Sequence, residues 1–286
     1  KAIAGRQPEI SFYTNDAYYI PASLLYKSFK TMSVLASGAV VRQVLLSTGA
    51  EESQIMAKLQ PIATDMHALG NPWISYSVYL NNSFLPGLLQ LMILLVTVFS
   101  IGSEMKRATS REWLRTADDS IIIAITGKLI PQTIIFFSMG LLYLSLLYGY
   151  LHFPMHNSIW HMIFAMFLLV VASQSFAVII MCFAPSLRIG LSVGGLVGVL
   201  SLSIAGFSFP VPAMYLPFQA ISYVLPVRHY FLIYVDQALN GIPLYYSPVH
   251  YVALILFAVA STPLLPRLKK ALMRQVYVPL CKNKMI

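Results

Sequence analysis

Five stretches of this chain are long and apolar enough to cross a lipid bilayer as helices. A hydrocarbon core of roughly 30 Å is covered by about 20 helical residues. The chain is 58% hydrophobic and only 10% charged, whereas charged residues make up about 25% of an ordinary soluble domain. The composition therefore predicts an α-helical polytopic membrane protein with spans over residues 84–102, 121–150, 159–183, 189–209 and 249–265.

Lysine and arginine gather on one side of these five spans. Loops rich in basic residues stay in the cytoplasm. The segment 103–120 carries four Lys or Arg residues and the tail 266–286 carries six, whereas residues 152–158 carry none and residues 210–248 carry only Arg228. This distribution predicts a cytoplasmic tail and an external re-entrant segment over 210–248. The basic tail also suits anionic lipid headgroups.

An odd number of spans with a cytoplasmic tail places residues 1–83 outside the membrane. These residues show no apolar signal core that would export them. The sequence therefore predicts a further apolar segment upstream, and six spans in the complete protein. The localisation expected for such a protein is the bacterial cytoplasmic (inner) membrane.

The external region 1–83 is predicted to form a small α/β domain. Residues 9–14 and 62–69 alternate like strands, residues 18–46 carry apolar side chains at helical spacing, and residues 51–60 form a second helix before Pro61. The helix over 18–46 is expected to pack its apolar face on the sheet. The charges of this region are nearly balanced, so no nucleic-acid partner is indicated.

Motifs of catalytic, cofactor or metal sites are absent from the sequence. Gly127-Lys128 lacks the earlier glycine and the following Ser or Thr of a phosphate-binding loop. His152 and His156 have the i, i+4 spacing of a metal pair, but Pro154 interrupts them, so interfacial histidines are favoured. The chain is therefore predicted to be no enzyme.

The positions of the cysteines and of the acidic residues argue against a disulfide-bonded protein and against an ion-coupled carrier. The two cysteines, Cys182 and Cys281, fall on the predicted cytoplasmic side, so no disulfide framework is implied. No acidic residue lies inside a predicted span. The absence of a buried acid weakens the interpretation of this chain as an ion-coupled carrier built on a membrane carboxylate.

Lys128 is interpreted as a lysine that snorkels to the membrane interface.

Small and polar residues inside the spans suggest close helix packing. Gly190, Gly194 and Gly198 form two overlapping G-x-x-x-G steps, which let another helix approach, either in this chain or in a second subunit. Polar amides within a bilayer either bond neighbouring helices or face a pathway. Both readings stay open for Gln90, Gln132 and Gln174.

The cytoplasmic stretch 103–120, here called the coupling segment, carries the most informative motif. Here the chain resembles the membrane subunits of type-2 ABC exporters, whose pattern E-x-x-x-G-T-x-E-x-L-x-x-T-P, with a G-K and a proline downstream, forms a coupling helix on the ATPase. The matching residues are Glu104, Thr109, Leu114, Thr116, Gly127, Lys128 and Pro131. The departures are Ala108 for the glycine, Arg111 with the acid moved to Glu112, and Ala117 for the proline.

The order of other motifs extends this resemblance over residues 71–265. Asn71-Pro72 and Phe84-Leu85-Pro86-Gly87 look like the family's exit from its external domain, and Leu225-Pro226 like its re-entrant helices. The resemblance implies a permease subunit that acts as a homo- or heterodimer with separate ATPase subunits, which bind the ATP. It also implies a single ATPase-coupling helix over 105–115, in which Met105, Ala108, Thr109 and Glu112 share one face and Trp113 anchors the helix at the adjoining interface.

A different functional class fits the same span pattern. A membrane-anchored assembly factor or receptor also has an external domain and several spans, but it transports nothing. For such a protein the coupling segment is a solvated loop whose basic residues only fix orientation. Association with an ATPase discriminates between the two classes.

Overall fold

The computed structural model describes residues 19–49, 76–207 and 211–274 of the chain. Two compact units divide the chain, Lys1–His67 and Ala68–Ile286. The described residues are helices and connections, with no strand among them. Six of their helical stretches are long and apolar enough to cross a membrane. This confirms a polytopic α-helical protein.

In the first unit, the described residues form one helix, α1, over Tyr19–Ser47. The sequence predicts this helix within one residue at each end. Its apolar side chains Met32 and Leu35 are exposed, contrary to the expected packing on a sheet. The predicted strands 9–14 and 62–69 and the predicted helix 51–60 lie outside the described residues. Nothing in the described part of this unit supports the α/β assignment.

Part of α1 also meets the length and composition of a span, so the described residues contain six candidate spans rather than the five that the sequence predicted. Residues Lys27–Ser47 are long and apolar enough to cross a membrane. Only Arg42 is charged in the stretch 31–47, so the helix is apolar around most of its surface rather than on one stripe. The expectation of an upstream span rested on an odd number of spans. When this helix is counted as a span, that number is even.

The second unit contains the remaining spans and the short helices between them. The spans over 121–150 and 159–183 are confirmed with their predicted bounds, the first of them ending in a π-helical turn, Ser145–Tyr150. The α-helices of this unit are α2 (Tyr76–Arg107), α3 (Ser110–Arg115), α4 (Ile121–Leu144), α5 (Ile159–Phe183), α6 (Leu187–Ile204), α7 (Leu216–Tyr223), α8 (Pro226–Tyr234), α9 (Pro248–Val259) and α10 (Leu265–Arg274).

Helix α5 is the centre of this unit. It is the most extensively buried of the candidate spans, and it packs against α2, α4, α8 and α9. Its composition explains this position, because it has no charged residue and is apolar on every face. The other spans surround it and leave many apolar side chains exposed, as a lipid environment requires.

The last predicted span is interrupted near its carboxy-terminal end. Helix α9 stops at Val259, a 3₁₀ turn follows over Thr262–Leu264, and α10 then begins at Leu265. Pro263 and Pro266 flank this junction and lack the N–H groups that a continuous α-helix would use. The basic residues after Leu265 therefore begin on a helix, α10, rather than in an extended tail.

Helix α6 runs antiparallel to α2, and small residues bring the two together. Gly87 faces Leu202, Leu91 faces Gly198, and Gly102 faces Leu187. A Cβ atom added to Gly198 would lie 2.3 Å from Leu91 Cδ1 and 3.2 Å from Leu91 Cα. The predicted close packing of the glycine row is therefore made with α2 of the same chain.

Candidate functional site

The coupling segment begins where α2 ends, at a turn centred on Ala108. The amide of Thr109 donates to Glu104 O at 3.0 Å and the amide of Ala108 to Met105 O at 3.3 Å. These two bonds and the left-handed φ of 61° at Ala108 form a Schellman motif. The position needs the conformation that glycine adopts most readily, which explains the glycine of the resembled pattern.

The sequence predicted a single helix over 105–115. The turn at Ala108 divides this stretch between two helices. Met105 lies in the last turn of α2 and is 4% exposed, and α3 starts only at Ser110. The predicted common face of Met105, Ala108, Thr109 and Glu112 is therefore wrong, because a left-handed residue changes the direction of the chain. Among these residues Glu112 is exposed.

Glu104 links the end of α2 to α4 and α3. Its carboxylate accepts hydrogen bonds from Lys128 Nζ at 2.6 Å and from the Thr109 hydroxyl. Lys128 Nζ also lies 4.4 Å from the centre of the Trp113 ring. The sequence suggested that Lys128 snorkels to the interface. Instead, this half-buried carboxylate and the Trp113 ring hold its ammonium group. Glu104, Thr109 and Lys128 of the resembled pattern therefore meet in one cluster, although Glu104 and Lys128 are 24 positions apart in the chain.

Helix α3 is fastened to α10 by polar contacts that the sequence did not reveal. Ser110 Oγ donates to Leu272 O at 2.9 Å, and Arg111 Nε and Nη2 donate to Met273 O at 3.2 and 3.1 Å. Lys269 Nζ donates to Asp119 O at 2.5 Å. The first three bonds satisfy carbonyl groups at the end of α10, which have no partner within that helix.

Apolar packing completes this junction between α3 and α10. Leu114 is fully buried in a cluster with Leu265, Leu268 and Leu272. The cluster also contains residues of α2, α4 and α5. The coupling segment is thus an ordered part of the helical unit, with exposed residues on its outer side: Arg111, Glu112, Arg115 and Thr116.

The three span glutamines each bond a neighbouring helix. Gln90 Nε2 donates to Ser201 Oγ at 3.1 Å, while its Oε1 accepts from Val227 N at 2.8 Å. Gln132 Oε1 accepts from the Thr97 hydroxyl at 3.3 Å.

Gln174 makes the corresponding contact to α4. Its Oε1 accepts from the Thr133 hydroxyl at 2.8 Å. Each of the three amides therefore has the interhelical contact that one of the two sequence readings expected. A contribution of these residues to a pathway stays a prediction.

The glycine row differs in tightness from one position to the next. A Cβ at Gly190 would meet Met181 Sδ at 2.8 Å and Val98 Cγ1 at 2.9 Å, but at Gly194 the nearest atom is Val98 Cγ2 at 3.7 Å. Gly190 and Gly198 therefore determine the approach of α6, whereas Gly194 makes ordinary contact.

The structure also forms a polar cluster in the 210–248 segment that the sequence did not indicate. His229 Nδ1 and His250 Nδ1 are 3.5 Å apart, and His229 Nε2 is 3.1 Å from Tyr223 O. Burial lowers the pKa of His229, although the Tyr223 carbonyl acts in the opposite direction. Arg228 Nη1 donates to Ala205 O at 3.1 Å. No local spacing signals such contacts, because their partners lie on separate helices.

The histidines that the sequence singled out do not form a metal centre in the described part of the chain. His156 Nδ1 is 3.0 Å from Ala238 O, and His161 Nδ1 is 3.2 Å from Ser158 O. Among the described residues, no group of three His, Cys, Asp or Glu side chains is placed to hold a metal ion. Cys182 is buried, and Cys281 lies outside the described residues.

A comparison with protein families decides what this arrangement belongs to. The family model described as ABC-2 family transporter protein matches residues 1–265. The chain belongs to the ABC-2 transporter family. A comparison with curated proteins finds no match. The match includes residues 1–83 and every candidate span up to the junction of α9 and α10, so the resemblance expected from the coupling segment is confirmed.

Membership in the ABC-2 family supports a membrane permease subunit of an ABC transporter. Members of this family are the transport subunits and are not themselves catalytic. The six apolar helices agree with a multi-pass membrane protein of this kind. The family implies ABC ATPases as partners in general.

Proposed function

We propose that this protein is the permease subunit of an ATP-driven exporter that receives the movement of a separate ATPase through the coupling segment. The observation that carries the proposal is the ABC-2 family match over residues 1–265. Two such subunits would assemble with two ATPase subunits in the bacterial cytoplasmic membrane. The tail and the coupling segment would then lie in the cytoplasm, with ATP bound by the partner.

The geometry of the coupling segment supports this mechanism. A segment that transmits movement has to be stiff, because a flexible loop would absorb the displacement. Here α3 is joined to α2 by a capped turn, to α4 through Glu104 and Lys128, and to α10 by hydrogen bonds. A push on its exposed side would therefore reach three spans.

The exposed charge on α3 provides the test of docking. Glu112→Lys reverses an exposed charge on the outer side of the segment, outside every candidate span. We expect expression and membrane insertion to survive, and ATPase co-purification or transport-linked hydrolysis to fall. Lys284→Glu, in the tail, controls for a general effect of charge.

The outcome of that test separates the two functional classes. If Glu112→Lys and the matched Arg115→Glu both leave ATPase association and hydrolysis unchanged, α3 is no docking surface. If the wild-type protein also purifies without ATPase activity from cells that express a neighbouring ABC ATPase, the assembly-factor or receptor class is the better description.

Sidedness is tested by impermeant thiol labelling in intact cells. Single cysteines are placed at Arg6, Ser53 and Lys284 in a background without Cys182 and Cys281. We expect Ser53 to label from outside and Lys284 only after permeabilisation. Arg6 labels with Ser53 if α1 is an external helix, and with Lys284 if α1 crosses the membrane. Labelling of Ser53 and Lys284 from the same side would overturn the proposed orientation.

A further inference from the structure

Helix α10 carries a straight row of basic side chains on one side. Arg267, Lys270 and Arg274 are all exposed, and their i, i+3, i+7 spacing places them on one face of the helix. The helix contains no acidic residue. These three residues are called the basic stripe below.

The face opposite the basic stripe is fixed to the protein. Leu265, Leu268 and Leu272 follow the same spacing about half a turn away and are buried in the cluster around α3. The burial of this face determines the rotation of α10. The basic stripe is therefore directed away from the helical unit.

The stripe starts beside the carboxy-terminal end of α5. The Arg267 guanidinium lies 4.8 Å from the centre of the ring of Phe183, the last residue of α5. From Arg267 to Arg274 the helix rises about 10 Å. The headgroup layer on each side of a hydrocarbon core is about 5–7 Å thick. The basic stripe is therefore long enough to cross a layer of this thickness.

The last turn and the flank of α10 contact the coupling segment. Carbonyl groups in its last turn accept the hydrogen bonds of Ser110 and Arg111, and Lys269, on the flank of the helix, donates to Asp119 O. Any contact that immobilises α10 therefore also immobilises α3.

We propose that the basic stripe binds anionic phospholipid headgroups of the cytoplasmic leaflet, and that this binding steadies the coupling segment through α10. The ligand is recognised by its charge, because the three exposed cations have no carboxylate partner among the described residues and attract phosphate. The lipid binding does not depend on the proposed transport function, whereas its effect on coupling rests on it.

The first measurement compares two double variants of equal charge change in the full chain. Lys270→Gln with Arg274→Gln removes two charges of the stripe, and Lys282→Gln with Lys284→Gln removes two charges of the tail. Delipidated protein is titrated with phosphatidylglycerol and with phosphatidylcholine, and the bound lipid is counted by native mass spectrometry. We expect the stripe variant to bind phosphatidylglycerol about thirtyfold more weakly, at roughly fivefold for each residue. The tail variant should resemble the wild type.

The second measurement follows the coupling segment by amide hydrogen exchange. The wild type and both variants are reconstituted in phosphatidylcholine vesicles and in vesicles of equal parts phosphatidylcholine and phosphatidylglycerol. In the wild type and the tail variant, phosphatidylglycerol should slow the exchange of residues 110–119, and in the stripe variant this slowing should disappear. No ATPase is present, so a failure of the docking test leaves these results unaffected.

Three results would overturn the proposal. Equal binding of phosphatidylcholine and phosphatidylglycerol would show that charge is not what the stripe recognises. Equal losses in the two variants would assign the effect to the net charge of the carboxy-terminal region. Loss of lipid binding with unchanged exchange over 110–119 would disconnect the stripe from the coupling segment.

Discussion

Gly198→Ala tests the contact between α2 and α6 more sharply than any other single substitution. The added Cβ would lie 2.3 Å from Leu91 Cδ1, which a rotamer change relieves, and 3.2 Å from Leu91 Cα, which belongs to the backbone. Overpacking of this kind costs about 1–3 kcal/mol. Alanine gains about 0.5–1 kcal/mol over glycine in a helix, so the expected net loss is up to about 2.5 kcal/mol, with a central value of about 1 kcal/mol.

Gly194→Ala is the matched control four residues earlier on the same helix. Its Cβ would meet only Val98 Cγ2, at 3.7 Å. With no overpacking, the helix propensity predicts a gain of about 0.5–1 kcal/mol. The two substitutions add the same methyl group and should therefore change stability in opposite directions.

The assay is unfolding of the purified protein in mixed micelles, titrated with sodium dodecyl sulfate and followed by circular dichroism. Gly198→Ala should lower the midpoint of the transition and Gly194→Ala should hold or raise it. Equal destabilisation by both would mean that the whole row is uniformly tight. A Gly198→Ala variant as stable as Gly194→Ala would refute the close approach of the helices at Leu91.

The other expected outcomes concern single local interactions, each measured by the same unfolding titration. Ala108→Gly should stabilise the protein by about 1 kcal/mol because it relieves a left-handed alanine, whereas Ala124→Gly, at the fourth residue of α4, should destabilise it by a similar amount; a stabilising Ala124→Gly would show that the gain is not local. Glu104→Gln and Lys128→Gln should each cost about 1–3 kcal/mol, and their double variant less than the sum; strict additivity would contradict the ion pair. Gln90→Leu should cost about 1–3 kcal/mol because it leaves a first-turn N–H of α8 unsatisfied, and a neutral result would mean that this amide finds another partner.

The sequence alone determined the membrane spans and the place of the coupling segment. Hydrocarbon thickness sets the length of a spanning helix, and the cost of unpaired backbone groups in lipid forces the helical state. Those constraints are local, so the stretches 121–150 and 159–183 were predicted to the residue. The same criterion underestimated α1, where apolar residues at helical spacing were read as one face of a domain helix.

The candidate site was only partly predictable, and the reason is the distance between its members along the chain. Glu104 and Lys128 each belonged to a recognisable pattern, but their ion pair depends on how α2 and α4 cross. The sequence has Ala108 where the resembled pattern has a glycine. Only the backbone of the structure shows that this alanine adopts the left-handed conformation and ends the helix there.

The tertiary structure alone decided what α6 and α10 pack against. A row of glycines permits close approach but does not choose the partner, and the choice of α2 follows from complementary bulk at Leu91 and Val98. Likewise, six basic residues in the last 21 positions indicate a side of the membrane. Only the burial of one leucine face against α3 separates the residues of α10 that hold the coupling segment from those directed outward, because rotation of a helix is fixed by packing and not by composition.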